Sequence, residues 1–73
     1  MPKTQSELSN RLKEMRARHN FTQAELAAKV SVTRKTINTV ENNIFIPSTV
    51  LALKLAKVLE VSVEELFYLN KKQ

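Results

Sequence analysis

Leu8, Leu12 and Met15 recur at i, i+4 and i+7 with polar residues between them, which is the spacing of one face of a helix. The pattern predicts a first helix from about Gln5 to Arg18. A second follows from about Gln23 to Val30, with Leu26, Ala27 and Val30 turned inward. The next stretch, SVTRKTINTV, is dominated by β-branched residues, a composition that favours a strand. As a strand, however, it has no apolar face: Thr33, Lys35, Ile37 and Thr39 share one side, and Val32, Arg34, Thr36, Asn38 and Val40 the other. Wound as a helix after Thr33 as N-cap, it gathers Ile37, Val40 and Ile44 into one stripe and leaves Arg34, Lys35, Asn38, Thr39 and Asn42 outside. Periodicity outweighs propensity, and a third helix is predicted.

Capping chemistry marks where these helices start. Thr4 with Glu7, Thr22 with Glu25, and Ser62 with Glu65 each match the reciprocal capping-box spacing. Pro47 keeps Ile46 out of helical dihedrals, and Ser48 caps a fourth helix, TVLALKLAKVL. Its apolar residues cover most of the circumference, with Lys54 and Lys57 marking the wet side, so it is expected to be the most buried element. A short fifth helix runs from Val63 to about Leu69, and NKKQ reads as a frayed end. The chain contains no glycine, yet four tight connections call for left-handed residues. Asn20 and Asn43 tolerate that conformation. Ser31 and Glu60 occupy equivalent places at a cost on the order of 1 kcal/mol each if their φ is positive.

Composition narrows the picture further. The 73 residues make one domain, 1–73, with a core spanning about 4–69, close to the size at which an unstapled core is marginal. No cysteine is present, which removes disulfides and thiolate metal sites and fits a reducing, cytoplasmic setting. No apolar run reaches the roughly 18 residues of a membrane span, and no signal-peptide h-region is visible. The net charge is +5. Arg11, Lys13, Arg16, Arg18, Lys29, Arg34 and Lys35, against Glu14 and Glu25, account for all of it, while Glu60, Glu64 and Glu65 crowd the other end. Such a dipolar layout suits an anionic partner such as nucleic acid; the plainer reading is a solvated charged surface.

Two short helices joined by a tight turn, the second with a polar free face, form a helix-turn-helix arrangement. Ala27 must be small at the crossing, and Val30, Ile37 and Val40 fill the angle. Through TQAELAAKVSVTRKTINTVEN and IPSTVLALKLAKVLEVSVEELF the sequence resembles the phage-repressor and Cro-like (XRE-type) family of DNA-binding domains, over about Thr4 to Leu69. Ser31, Asn43 and Glu60 depart from that family's usual glycines at turns. The resemblance implies an all-α, five-helix, lambda-repressor-like domain in which helices two and three form the helix-turn-helix and helix three enters the major groove.

On that resemblance, Arg34, Lys35, Asn38 and Thr39 are candidates for base contacts. Arg and Lys suit guanine O6 and N7, Asn suits adenine, and the Thr methyl suits thymine. Gln23 resembles the family's phosphate-binding glutamine. Lys29, Thr33, Asn42 and Asn43 are further phosphate candidates, and Thr33 is equally explained as a cap alone. Arg16 and Glu41 match a family pair that forms a partly buried salt bridge, and Arg16 is also placed to meet phosphate.

Nothing else in the sequence carries comparable chemistry. His19 stands alone, without a metal-ligand partner, and is expected to sit wet at the end of helix one. Glu64 and Glu65 suit the first turn of a helix through its macrodipole. There is no nucleophile paired with a base and no phosphate-cradling glycine loop, so no enzyme, cofactor, metal or small-molecule effector is expected. Ile44, Phe45 and Ile46 are unusual in a loop. Either Phe45 and one Ile fold back on the core, or the three form a dimer patch with Phe67, Tyr68 and Leu69. The expected function is sequence-specific transcriptional regulation by a homodimer on a roughly palindromic operator in double-stranded DNA. Two alternatives are a protein-interaction module such as an antitoxin-type partner binder, and a membrane-surface peptide built on basic helix one.

Overall fold

The computed structural model describes residues 7–70. Along the chain run β1 (Leu8–Asn10), α1 (Leu12–Arg18), α2 (Gln23–Lys29), α3 (Arg34–Glu41), α4 (Thr49–Leu59), α5 (Val63–Leu66) and β2 (Phe67–Leu69). The five helices expected from periodicity and caps are present, with α2 and α3 adjacent as a helix-turn-helix requires. The first and last helices are shorter than their patterns suggested.

That shortening has one cause. Residues 8–10 were expected in helix one and residues 67–69 in helix five, but the two segments pair antiparallel, with Leu8 opposite Leu69, Ser9 opposite Tyr68 and Asn10 opposite Phe67. The amide of Arg11 extends the tie by donating to the Leu66 carbonyl at 2.9 Å, and Asn70 donates to Glu7 at 2.7 Å. Leu8 therefore reaches the core from a strand, although its spacing to Leu12 and Met15 also fits a helix. Phe67 turns extended at φ −124°, ψ 141° and drives its ring inward. Of the proposed Thr4–Glu7 capping box, Thr4 lies outside the described residues, and Glu7 precedes β1 instead of opening a helix.

One apolar core is assembled from Leu12 and Met15 of α1, Leu26 and Ala27 of α2 with Val30 at its end, Ile37 and Val40 of α3, Leu51, Leu55, Ala56 and Leu59 of α4, and Leu66 and Phe67 at the far end. No polar or charged residue is fully buried among those described. Two expectations about it need correcting. Ile44 does not continue the Ile37–Val40 stripe, because α3 stops at Glu41 and the chain turns outward. Nor is α4 buried around its circumference: Val50 and Leu53 are exposed, on the same side as Lys54 and Lys57. Eleven residues of α4 have only one side to lay against so small a bundle.

Helices α1 to α4 all close in the same way. The left-handed residues are Asn20, Ser31, Asn43 and Glu60, with φ of 59°, 62°, 61° and 61°. Each donates its amide three residues back, and the residue after it donates five residues back, as in Val61 to Ala56 at 3.0 Å and Val32 to Ala27 at 3.0 Å. This is the Schellman arrangement, which satisfies carbonyls that a helix end leaves open and commonly brings the following apolar residue down onto the helix. Phe21, Val32 and Val61 do pack on the core. Ile44, in the equivalent place after α3, stays out in solvent. His19 also departs from expectation: its Nε2 lies 2.9 Å from the Leu59 carbonyl and its ring stacks on Phe21, so α1 and α4 are joined at their ends.

Candidate nucleic-acid interface

Side-chain caps start both helices of the motif. At α2 the Thr22 hydroxyl accepts from the Glu25 amide at 3.0 Å and the Glu25 carboxylate accepts from the Thr22 amide at 2.8 Å. At α3 the Thr33 hydroxyl accepts from the Thr36 amide at 3.2 Å, so Thr33 acts as a cap. Between them the Ser31 turn sets the crossing, and Ala27 is buried there beside Val30 and Ile37. With its inward face fixed by Ile37 and Val40, α3 presents Arg34 and Lys35 exposed at its start and Asn38 and Thr39 half-buried along its length.

These polar groups differ in how free they are. Lys35 has an open side chain. Thr39 donates its hydroxyl to the Thr36 carbonyl at 3.0 Å, which leaves its methyl and an oxygen lone pair for a ligand. Asn42 donates to the Asn38 carbonyl at 2.9 Å and so closes the last turn of α3. Asn43 accepts from Asn10 Nδ2 at 2.9 Å, a contact with no signal in the sequence. Lys29 holds its ammonium 5.0 Å from the centre of the Phe21 ring, a cation–π geometry that leaves the charge accessible.

Arg16 and Glu41 sit beneath this face. Arg16 Nε is 2.7 Å from Glu41 Oε2, and the two side chains are only 16% and 4% exposed. The same guanidinium donates to the Phe21 carbonyl at 2.9 Å, and thereby braces α1 against α3 and against the loop before α2. Gln23 joins the pair from α2, donating Nε2 to Glu41 Oε1 at 3.0 Å. Its own Oε1 accepts from Arg34 Nη1 at 3.2 Å. Gln23, expected at phosphate, and Arg34, expected at a base edge, are thus already bonded to each other. Breaking a buried ion pair from one side typically costs about 3 to 5 kcal/mol, so this cluster is part of the fold as well as of the face.

The apolar patch is rearranged relative to expectation. Phe67 is 7% exposed and belongs to the core, not to a surface patch. Ile44, Phe45, Ile46, Tyr68 and Leu69 are exposed, joined by Val50 and Leu53. Beside them lies a hollow of about 210 Å³ lined by residues that include Leu8, Pro47, Leu53 and Phe67. Among the described residues, no group of His, Cys, Asp and Glu is arranged to hold a metal ion, and no helix is long and apolar enough to cross a membrane.

Residues 12–66 match the helix-turn-helix family model. The uncharacterized HTH-type transcriptional regulator YgzD of Bacillus subtilis is 38% identical over 63 residues, covering 86% of this chain and 96% of its own. Among solved structures, the restriction-modification controller protein C.AhdI of Aeromonas hydrophila superposes with a TM-score of 0.71 at 33% identity, over 75% of this chain and 83% of that one. The biofilm regulator SinR of Bacillus subtilis, solved in complex with DNA, superposes with a TM-score of 0.69 at 33% identity, over 74% and 87%. With both helices of the motif, its turn and the Arg16–Glu41 brace inside the matched span, the chain belongs to the XRE-type helix-turn-helix family.

Proposed function

We propose that this protein is a cytoplasmic, non-enzymatic transcriptional regulator that binds a roughly palindromic operator as a homodimer, with α3 in the major groove. The observation that carries the reading is the cationic start of α3, Arg34 and Lys35, held outward by a helix whose opposite face is locked into the core. A major groove roughly 12 Å wide admits such a helix. SinR, a structural neighbour, is known in complex with DNA, and the relative YgzD is named a transcriptional regulator. Both names support the reading.

One recognition helix spans only a few base pairs, so specificity calls for two. Ile44 supports the assembly: of the four apolar residues that follow a helix-closing turn, it alone stays in solvent. An isologous contact through Ile44, Ile46, Val50 and Leu53 would cover that patch, and a dimer reading two half-sites needs its α3 helices about 34 Å apart, one turn of DNA. The same patch also favours a second reading, in which a different protein occupies it. Selection of bound duplexes from a random pool is the test of the first. Enrichment of a two-fold sequence with half-sites about 10 base pairs apart is the expected result, and a pool that stays random rejects it.

A further inference from the structure

The Asn10 amide can face only one way. A backbone N–H only donates and a backbone carbonyl only accepts; the Leu12 amide donates to Asn10 Oδ1 at 2.9 Å, and Asn10 Nδ2 donates to the Val40 carbonyl at 2.9 Å. The same Nδ2 reaches the Asn43 side chain at 2.9 Å, so the atom that Asn43 offers there must be its oxygen. Asn43 Nδ2 is thereby turned away from Asn10, on an exposed residue, with both of its hydrogens unspent among the described residues. Its neighbour differs, because Asn42 directs Nδ2 at the Asn38 backbone and side-chain oxygens, at 2.9 and 3.4 Å.

Building on the DNA-binding reading above, we infer that Asn10 is a positioning residue that holds Asn43 with its amide donor outward, so that Asn43 bonds a DNA phosphate at the far end of α3. Phosphate oxygens are acceptors, which an outward NH2 group matches and an outward amide oxygen would repel. An eight-residue helix rises about 12 Å, close to the width of the major groove. With its start at the base edges, α3 therefore brings its far end to the phosphates along the groove wall. Asn43 stands there, one residue past the C-cap, with its backbone at φ 61°. An exposed amide left alone samples both orientations and loses that freedom on binding, whereas one already held loses less. Since Asn10 ends β1 opposite Phe67 of β2, the pairing of the first and last elements sets a contact in the DNA interface.

The test measures wild type, Asn43→Ala, Asn10→Ala and the double variant on the selected duplex and on a random one, over a range of salt and well below each melting point. Asn43→Ala is expected to weaken both duplexes alike, roughly 5- to 20-fold, with the salt slope unchanged because a neutral donor displaces no counterion. A loss confined to the selected duplex would place Asn43 at a base and overturn the inference. Asn10→Ala is expected to weaken both about 2- to 10-fold and to cost nothing further in the Asn43→Ala background. A loss that persists without Asn43 makes Asn10 a structural residue only and overturns its positioning role. Should Asn10→Ala not fold, NMR of the wild-type protein decides. The Asn10 side-chain amide protons should resist exchange in the free protein, and those of Asn43 only once DNA is added. Freely exchanging Asn10 protons, or Asn43 protons still unprotected on DNA, overturn the inference. Wild type that binds no duplex overturns the DNA-binding reading itself, whereas wild type that binds while Asn43→Ala loses nothing overturns this inference alone.

Discussion

Asn10 Nδ2 lies 2.9 Å from the carbonyl oxygen of Val40, so the end of β1 is tied to the last turn of α3. The same nitrogen donates to Asn43 Oδ1 at 2.9 Å, and Asn10 Oδ1 accepts from the Leu12 amide at 2.9 Å. Arg11, which precedes α1, offers no side-chain cap, so Asn10 does that work from one residue further back. Asn10→Ala removes three hydrogen bonds and strips part-buried groups of partners, at an expected cost of about 1 to 3 kcal/mol. Thermal melting of the purified variant checks this, and an unchanged midpoint would show water replacing the amide without loss.

Glu60 closes α4 at φ 61° with its backbone amide directed at the Ala56 and Lys57 carbonyls. Glu60→Gly removes the steric cost of a left-handed Cβ, partly offset by the extra freedom of the unfolded chain. A net gain of roughly 0.5 to 1 kcal/mol is expected, read from chemical denaturation. Loss of stability would mean that the Glu60 side chain contributes something the turn does not explain.

Ala27 is buried at the crossing of α2 and α3. Ala27→Leu forces several heavy atoms into a filled angle, and overpacking of this kind costs typically 1 to 3 kcal/mol. For a chain this short the melting point is expected to fall by roughly 5 to 20 °C. DNA affinity should fall only as the folded fraction does.

Arg34→Ala is expected to weaken the operator selectively, by about 1 to 3 kcal/mol of discrimination. Lys29→Ala should weaken all duplexes alike and flatten the salt dependence by about one counterion. Affinities on operator and random DNA over a range of salt separate the two. Equal losses for Arg34→Ala on both would remove it from base readout.

For the assembly, Ile44→Asp and Leu53→Asp change exposed side chains and should leave the melting of the protomer intact. Sedimentation is expected to show monomers, with operator affinity reduced steeply and half-site affinity unchanged. A wild-type protomer that sediments as a monomer both free and on its best operator would sink the homodimer.

Much of this architecture can be read from side-chain chemistry near in sequence. Thr22 with Glu25 and Ser62 with Glu65 announce helices because cap and partner lie three residues apart, and both capping boxes form. The third helix is legible despite its β-branched residues because a strand would have had no apolar face. β1 is not legible: Leu8 fits a helical stripe with Leu12 and Met15, and its true partner, Leu69, lies at the other end of the chain. Asn10 carries no local pattern either, since all its donor contacts are to the end of α3. At the candidate site, residue types fix which groups can meet DNA, but the bond between Gln23 and Arg34 depends on how α2 and α3 cross. Val50 and Leu53 mislead for a different reason, because an apolar residue signals burial without saying whether its cover comes from its own chain.

The two strands meet across most of the chain, Leu8 pairing with Leu69 and the Ser9 hydroxyl reaching Asn70 across 61 positions. Helices α2 and α3, by contrast, are neighbours in sequence and can dock without closing any large loop. Loop closure is entropically costly before the contacts it brings can repay it, so the helical pair can form first and the strands only after the chain between them has condensed. Three residues a side hold that late closure. The sheet is therefore expected to open ahead of the helical pair, and since Asn10 lies in it, such an opening would also free the carbonyl end of α3.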